Sequence, residues 1–428
     1  MSYKVSRYPV EKLEPNADIQ PGFAFKSERF TDISEDIPLV KGENVHQGYI
    51  DWRGAKHWPA NEYGSFAKYH LMPGDVVLAM DRPWVTAGLK WSYIKPHDPK
   101  SLLVQRVARL RAKKKLCQDY LRHVISSNYF ANYLKPIVTG VNVPHISGKQ
   151  IGAFHIPIPE PEIQRKIAAI LTAYDDLIET NKRRIALLEK MAEELYREWF
   201  VRMRFPGHQH TKCVKGVPEG WEMRQVERAF DFTGGGTPSK NIARYWSEGG
   251  VNWFTPSDIT GAAGAFLTAS AEQCTEEGLA RSSARLFPAY SVMMTSRATI
   301  GAIGINTTPA CTNQGFITCV PNERYTLPYL FHWLKLAKPY FEQLCGGATF
   351  PELTKGTFKK LRIPTPPRHV MENFTAVAMP MFGSIESGLS QNSILTRTRD
   401  LLLPRLISGK LSVEDLDIQF PPSMREET

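Results

Sequence analysis

The chain has 428 residues, 42% of them hydrophobic and 11% aromatic, and carries 53 Lys+Arg against 43 Asp+Glu for a net charge of +10. That is apolar material for two or three domains of roughly 100–200 residues each, and it excludes wholesale disorder. The mean hydropathy of −0.30, the lack of a secretory-type apolar stretch in Met1–Val10, and six scattered cysteines without a C-x-x-C pair lead us to expect a soluble cytoplasmic protein with reduced thiols.

In chain order, residues 1–157 open with short β-type runs such as VVLAM after Asp75, punctuated by Gly and Pro turn signals. A helix of about 18 residues follows over 117–134, with Tyr120, Leu121, Val124 and Ile125 as its apolar face. Next come a Gly/Thr loop at Thr139-GVN and a Pro-flanked strand, HIPIP after Phe154. From Glu162 to about Phe205 apolar residues recur at Ile163, Ile167, Ile170, Tyr174, Leu177, Ile185, Leu188, Met191, Leu195 and Trp199. This spacing predicts a coiled-coil seam, interrupted where Asn181 takes an inward slot. About 40 residues at 1.5 Å rise span roughly 60 Å.

Residues 206–365 repeat the plan of the first 157: short strands including VMMT after Ser291, a helix over 326–344, a Gly/Thr loop at Gly346-GAT, and the strand RIPTPP after Leu361. A second long helix then runs through Val370, Phe374, Val377, Met381, Ile385, Leu389, Leu395, Leu402 and Leu406 to a C-cap at Ser408-Gly409. Pro380, Gly383, Gly388 and Pro404 predict a weaker or kinked helix. Asn392 sits in it as Asn181 sits in the first. A lone Asn on a helix is usually solvated; two at similar depth in two apolar seams point to register fixing between paired helices.

The repetition extends to local detail. YPVEKLE at Tyr8–Glu14 matches WEMRQVE at Trp221–Glu227, MPGDVVLAMDR at Met72–Arg82 matches FPAYSVMMTSR at Phe287–Arg297, and Tyr120-Leu121 falls over Tyr329-Leu330. VPHISGKQIGAFHIPIPEPE from Val143 likewise matches FPELTKGTFKKLRIPTPPRH from Phe350. Matches in the same order at a nearly constant offset mean a duplicated unit of roughly 210 residues. We therefore divide the chain into globular units at 1–157 and 206–365, long helices at 158–205 and 366–410, and a tail at 411–428. The net charges of 1–157, 158–205, 206–365 and 366–428 are +8, 0, +4 and −2. Positive charge collected on the globular units favours a polyanionic partner, with a solubilising surface as the plainer alternative.

The sequence offers little catalytic chemistry. It has no phosphate-binding G-x-x-x-x-G-K-[ST], no H-E-x-x-H and no G-x-S-x-G. GGGTPS at Gly234–Ser239 could cradle a phosphate, though a turn entering the globular unit is the preferred reading. His208, His210 and Cys213 could bind a soft metal, but they lie in what reads as a linker. Arg106 to Lys115 (RVARLRAKKK) is either a phosphate-contact run or a strand followed by a solvated turn.

Two basic globular units each followed by a long helix, with PIPEPEIQRKI from Pro157 at the centre and RDLLLPRLISGK from Arg399 near the end, resemble a specificity subunit of a type I DNA restriction-modification system. The resemblance covers the chain from Leu13 to about Leu411. It implies an α+β protein in which two pseudo-twofold-related α/β target-recognition domains are separated by two long helices pairing as an antiparallel coiled coil. Each domain would read one half of a split, asymmetric double-stranded DNA site, with the helices as a ruler between the halves. Partner subunits would supply the chemistry: two modification subunits using S-adenosylmethionine to methylate adenine N6, and restriction subunits acting as an ATP- and Mg-dependent motor-nuclease. The chain itself would bind no cofactor and no metal and would not be catalytic. A self-contained DNA enzyme and a pure protein scaffold are the rival readings; the charge split speaks against the scaffold.

Base readout needs Arg, Lys, Asn or Gln on groove-facing loops, with aromatic or Thr contacts to thymine methyls. In the first unit the candidates are Lys41, Asn44, Arg82, Trp84, Thr86, Lys90, Asn142 and Lys149. In the second they are Thr237, Ser239, Lys240, Ser257, Arg297, Thr299, Asn313, Gln314, Thr349 and Lys355. The pair Arg82/Arg297 leads, because the two align after equivalent strands.

Overall fold

The computed structural model describes residues 6–85, 88–138, 144–214, 217–247, 249–346 and 351–424. Its class is α+β, and the chain divides into two compact units: residues 1–178 with 394–428, and residues 179–393. Each long helix thus contributes residues to both units. No helix among the described residues is long and apolar enough to cross a membrane.

The first unit is built on an antiparallel sheet in the order Ala17–Pro21, Val107–Ala112, Val76–Ala79, Trp91–Tyr93. Val76, Leu78, Ala108 and Leu110 alternate onto its inner face and are buried. A second sheet orders His57–Trp58, Ile37–Val40, Ser101–Leu103 and His70–Leu71, with a parallel pairing of Leu102 to Leu39. At the base, Val10–Lys12 pairs antiparallel with His155–Pro157, just ahead of the central helix. The expected 18-residue helix is two, Gln118–Ser126 and Asn128–Leu134. Ser127 breaks it, because its hydroxyl accepts the Phe130 N–H and starts a new helix with an N-cap.

The second unit repeats this frame. Its main sheet orders Phe232–Gly234, Phe316–Cys319, Val292–Thr295, Ile303–Asn306 and Phe266–Leu267. Beside it, Val251–Phe254 pairs parallel with Ala310–Thr312 as Ile37–Val40 does with Ser101–Leu103. Glu222–Gln225 closes the base against Arg362–Thr365. The aligned tyrosines do the same work in both units: the fully buried Tyr120 hydroxyl donates to the Pro157 carbonyl at 3.0 Å, and that of Tyr329 to the Pro364 carbonyl at 2.6 Å.

The central helix runs from Pro161 to Tyr196 and continues as a π-helical turn at Arg197–Val201, where Trp199 and Phe200 are buried. Its buried line is Leu171, Ile178, Ile185, Ala192 and Trp199, a strict seven-residue repeat. The expected seam was partly misplaced, since Leu177 and Met191 are both 54% exposed. The C-terminal helix, Arg368–Ile407, runs unbroken through Pro380, Gly383, Gly388 and Pro404. Burial of Val370, Phe374, Ala378, Phe382 and Ile385 offsets the lost backbone hydrogen bonds and poor propensity. Gly388 has a packing reason: a Cβ there would lie 3.1 Å from the Ile185 side chain, so glycine lets the helices approach. Within the second unit the helical halves pack antiparallel, with Asn181 Nδ2 donating to Asn392 Oδ1 at 3.1 Å. Within the first, Arg399 meets Asp175 at 2.7 Å, the same antiparallel sense.

Candidate nucleic-acid interface

In the first unit three segments meet at the loop end of the Val76–Ala79 strand: Asp81–Val85, Gln105–Arg106 and Pro144–Lys149. Asp81 bridges to His145 in antiparallel fashion, and the Arg82 N–H donates to the Pro144 carbonyl at 2.7 Å. Arg106 Nη1 lies 2.8 Å from Asp81 Oδ2, while His145 Nδ1 engages the other carboxylate oxygen. Arg82 and Lys149 are exposed at this end. Trp84, half-buried in the Trp84–Val85/Gly88–Leu89 hairpin, has Lys135 Nζ 5.6 Å from its ring centre. Lys149 rides on the short helix Gly148–Gly152, which Ser147 and Gln150 cap reciprocally.

Two other candidates in this unit, Asn44 and Lys90, serve the fold, while Lys41 sits in a local ion pair at the surface. Asn44 is buried, donates to the Leu39 carbonyl at 3.0 Å and accepts the Lys41 N–H at 2.8 Å, so its amide closes a turn. Lys90 is buried and its ammonium donates to the Gly42 carbonyl; burial holds its pKa below the usual lysine range, against the pull of Glu43. Lys41 pairs with Glu43 at 2.6 Å. Their polar atoms are already engaged, so we withdraw Asn44 and Lys90 as base readers. Thr86 and Asn142 lie outside the described residues.

The second unit brings together the loop ends carrying Thr237, Arg297, Thr299, Asn313, Gln314 and Lys355. Thr237 Oγ1 donates to Gln314 Oε1 at 2.7 Å, and both residues are exposed. Asn313 accepts the Gly315 N–H at 2.9 Å in an Asx turn. Arg297 Nε donates to Glu352 Oε1 at 2.8 Å, across a bridge matching Asp81 to His145. Lys355 packs its stem against Gly234, where a Cβ would lie 1.9 Å from its Cε. Ser257 and Thr299 are exposed, Ser239 accepts the Trp246 indole N–H through its carbonyl, and Lys240 is taken up by Glu272 and the Trp246 ring. Thr349 lies outside the described residues.

The backbone corrects one sequence register. The left-handed residues Gly74 and Tyr290, and likewise Arg82 and Ala298, are 216 positions apart, as are the strands Val76–Ala79 and Val292–Thr295. Arg82 therefore corresponds to Ala298, and Arg297 to Asp81. The alignment at offset 215 followed a shared Pro and Arg and slipped by one, because the strands between them carry interchangeable apolar residues. Sequence reasoning also passed over Asp81, His145 and Glu352, although His145 and Glu352 already align.

The remaining motifs resolve structurally. Gly235 and Gly236 are pressed against the backbone of Thr312–Asn313 and Ser283–Ala284, so the glycines allow close chain approach in place of a phosphate cradle. His208–His210 is a single 3-10 turn, with His208 Nδ1 bonded to the Phe205 carbonyl. In the 106–115 run, Arg109 pairs with Asp18 at 2.8 Å and Arg111 with Asp75 at 2.6 Å, which removes both from phosphate duty.

The model of the type I restriction modification DNA specificity domain matches residues 19–190 and 218–370. The type I restriction enzyme MjaIX specificity subunit of Methanocaldococcus jannaschii is 32% identical over 315 residues, 71% of each chain. The HindI specificity subunit of Haemophilus influenzae is 25% identical over 359 residues, covering 68% of this chain and 77% of the relative. The S subunit of a type I restriction-modification system from M. genitalium shares the fold, with a TM-score of 0.62 at 14% identity over 94% of this chain and 97% of that one. Two matched domains and two long helices define the class: a duplicated DNA-specificity protein. The chain belongs to the type I restriction-modification specificity subunit family.

Proposed function

We propose that this chain reads a bipartite, asymmetric site in double-stranded DNA, one half per unit, with the paired helices setting the number of unread base pairs between halves. The observation that carries this reading is one frame built twice with different side chains at the same loop end. The first unit presents Arg82, Trp84, Arg106 and Lys149; the second presents Thr237, Gln314, Arg297 and Lys355. Two such readers of unlike chemistry imply two unlike half-sites. The Asn181–Asn392 contact would fix the register of the helical ruler.

In this reading the chain binds no cofactor and performs no catalysis. It recruits two modification subunits, whose S-adenosylmethionine methylates a flipped adenine, and restriction subunits that use ATP and Mg. The test is whole-genome adenine-methylation mapping in a host expressing the chain with its neighbouring modification subunit. A split asymmetric motif present only with this chain is expected. Methylation unchanged when the chain is deleted would reject the reading in favour of a scaffold.

A further inference from the structure

Each unit carries an exposed arginine held from behind by a carboxylate at the loop end of its main sheet. In the first unit it is Arg106, 65% exposed, with Asp81 on Nη1 and His145 fixing Asp81 in turn. In the second it is Arg297, 48% exposed, with Glu352 on Nε. The two arginines come from different strands, so no alignment pairs them: the Met80 N–H bonds to the Arg106 carbonyl just as the Ser296 N–H bonds to that of Gly315, which makes Gly315 the counterpart of Arg106.

Ion pairs this exposed contribute little to folding. They do hold a long side chain in one rotamer and leave part of the guanidinium fork facing out. Arg106 is further held at φ +68°, a left-handed conformation disfavoured for any residue with a Cβ. An arginine kept in a strained place, aimed by a carboxylate, is arranged for what its side chain meets. The free fork matches the O6 and N7 acceptors of guanine in the major groove.

We propose that Arg106 and Arg297 are the guanine-reading residues of the two half-sites, with Asp81 and Glu352 as positioning residues. This rests on the reading that the chain selects DNA sequence. The test is adenine-methylation mapping in cells expressing the full chain, or its Arg106→Gly or Arg297→Ala variant, with the cognate modification subunits. Glycine relieves the left-handed strain, so Arg106→Gly preserves the fold.

For Arg106→Gly we expect one G·C position in one half-site to become degenerate, with discrimination there falling about 10-fold or more. The other half and the spacer stay fixed. Arg297→Ala does the same in the opposite half. Arg106→Lys keeps the charge but loses the fork, and relaxes the same position. Asp81→Asn relaxes it to a lesser degree. An unaltered motif in Arg106→Gly or Arg106→Lys overturns the proposal, and so does an even loss of methylation across all sites, which marks a phosphate contact. A wild-type chain that directs no motif at all sinks the specificity reading itself, a separate result.

Discussion

The two units bury a histidine at the same place and surround it with opposite chemistry. His123, on the Gln118–Ser126 helix of the first unit, is almost fully buried in a polar setting. Its Nε2 meets Thr172 Oγ1 at 3.0 Å and Arg122 Nη2 at 3.1 Å, with the Arg399–Asp175 ion pair alongside. His332, its counterpart, donates through Nδ1 to the Pro328 carbonyl at 2.8 Å and is walled by Tyr196, Phe331 and Phe382. A cavity of about 60 Å³ lies beside it, edged by Glu189 and Lys335. Duplication has kept the seat under the helices and let its chemistry diverge. Burial lowers the pKa of both histidines, that of His332 to about 4.

The comparison can be broken most forcefully on the aromatic side. Phe382→Ala removes the buried ring facing Phe331 and His332, and should cost about 3–5 kcal/mol. Amide hydrogen exchange should show the loss concentrated in residues 179–393, with 6–178 little changed. Equal loss of protection in both units would contradict the division.

Acid should come next. His332 is neutral in the folded state and protonated in the unfolded chain below about pH 6.5, so the unfolded state binds the extra proton. Stability contributed at this site is therefore present above about pH 6.5 and lost as pH falls toward 4, by about 3 kcal/mol. His332→Leu should flatten that slope in urea titrations between those pH values; an unchanged slope would mean another group titrates.

On the polar side Asp175→Ala leaves Arg399 paired with Asp400 alone and should cost about 1–2 kcal/mol. The value lies below that for a fully buried pair because both side chains keep 27% exposure. Exchange should rise in residues 6–178 and 394–424 and spare the aromatic seat. The smallest effect is expected at Asn181→Ala, about 0.5–1 kcal/mol for one part-buried hydrogen bond, read from the urea midpoint.

These seats also show what a sequence discloses. The duplication, the two long helices and the meeting of Asn181 with Asn392 follow from periodicity and self-alignment, because backbone geometry constrains them. The seam was legible only in part. Leu177 and Met191 fit an apolar 4-3 pattern yet face outward, while the neighbouring Ala192 is fully buried. The loop end was the least legible. Asn44 and Lys90 have the right chemistry for base reading but spend it on carbonyls inside the unit. Arg82 and Arg297 align by letter, though a one-residue offset in the backbone separates them. Ion pairing between residues far apart, such as Arg297 with Glu352, leaves no local pattern to find.

The central claim is that the units read independently on a common frame. Its most direct test is adenine-methylation mapping with a chain in which residues 222–365 are replaced by the matching segment of the Methanocaldococcus jannaschii relative. The account predicts a motif in which one half changes while the other half and the spacer length stay the same. Both halves changing together would contradict it.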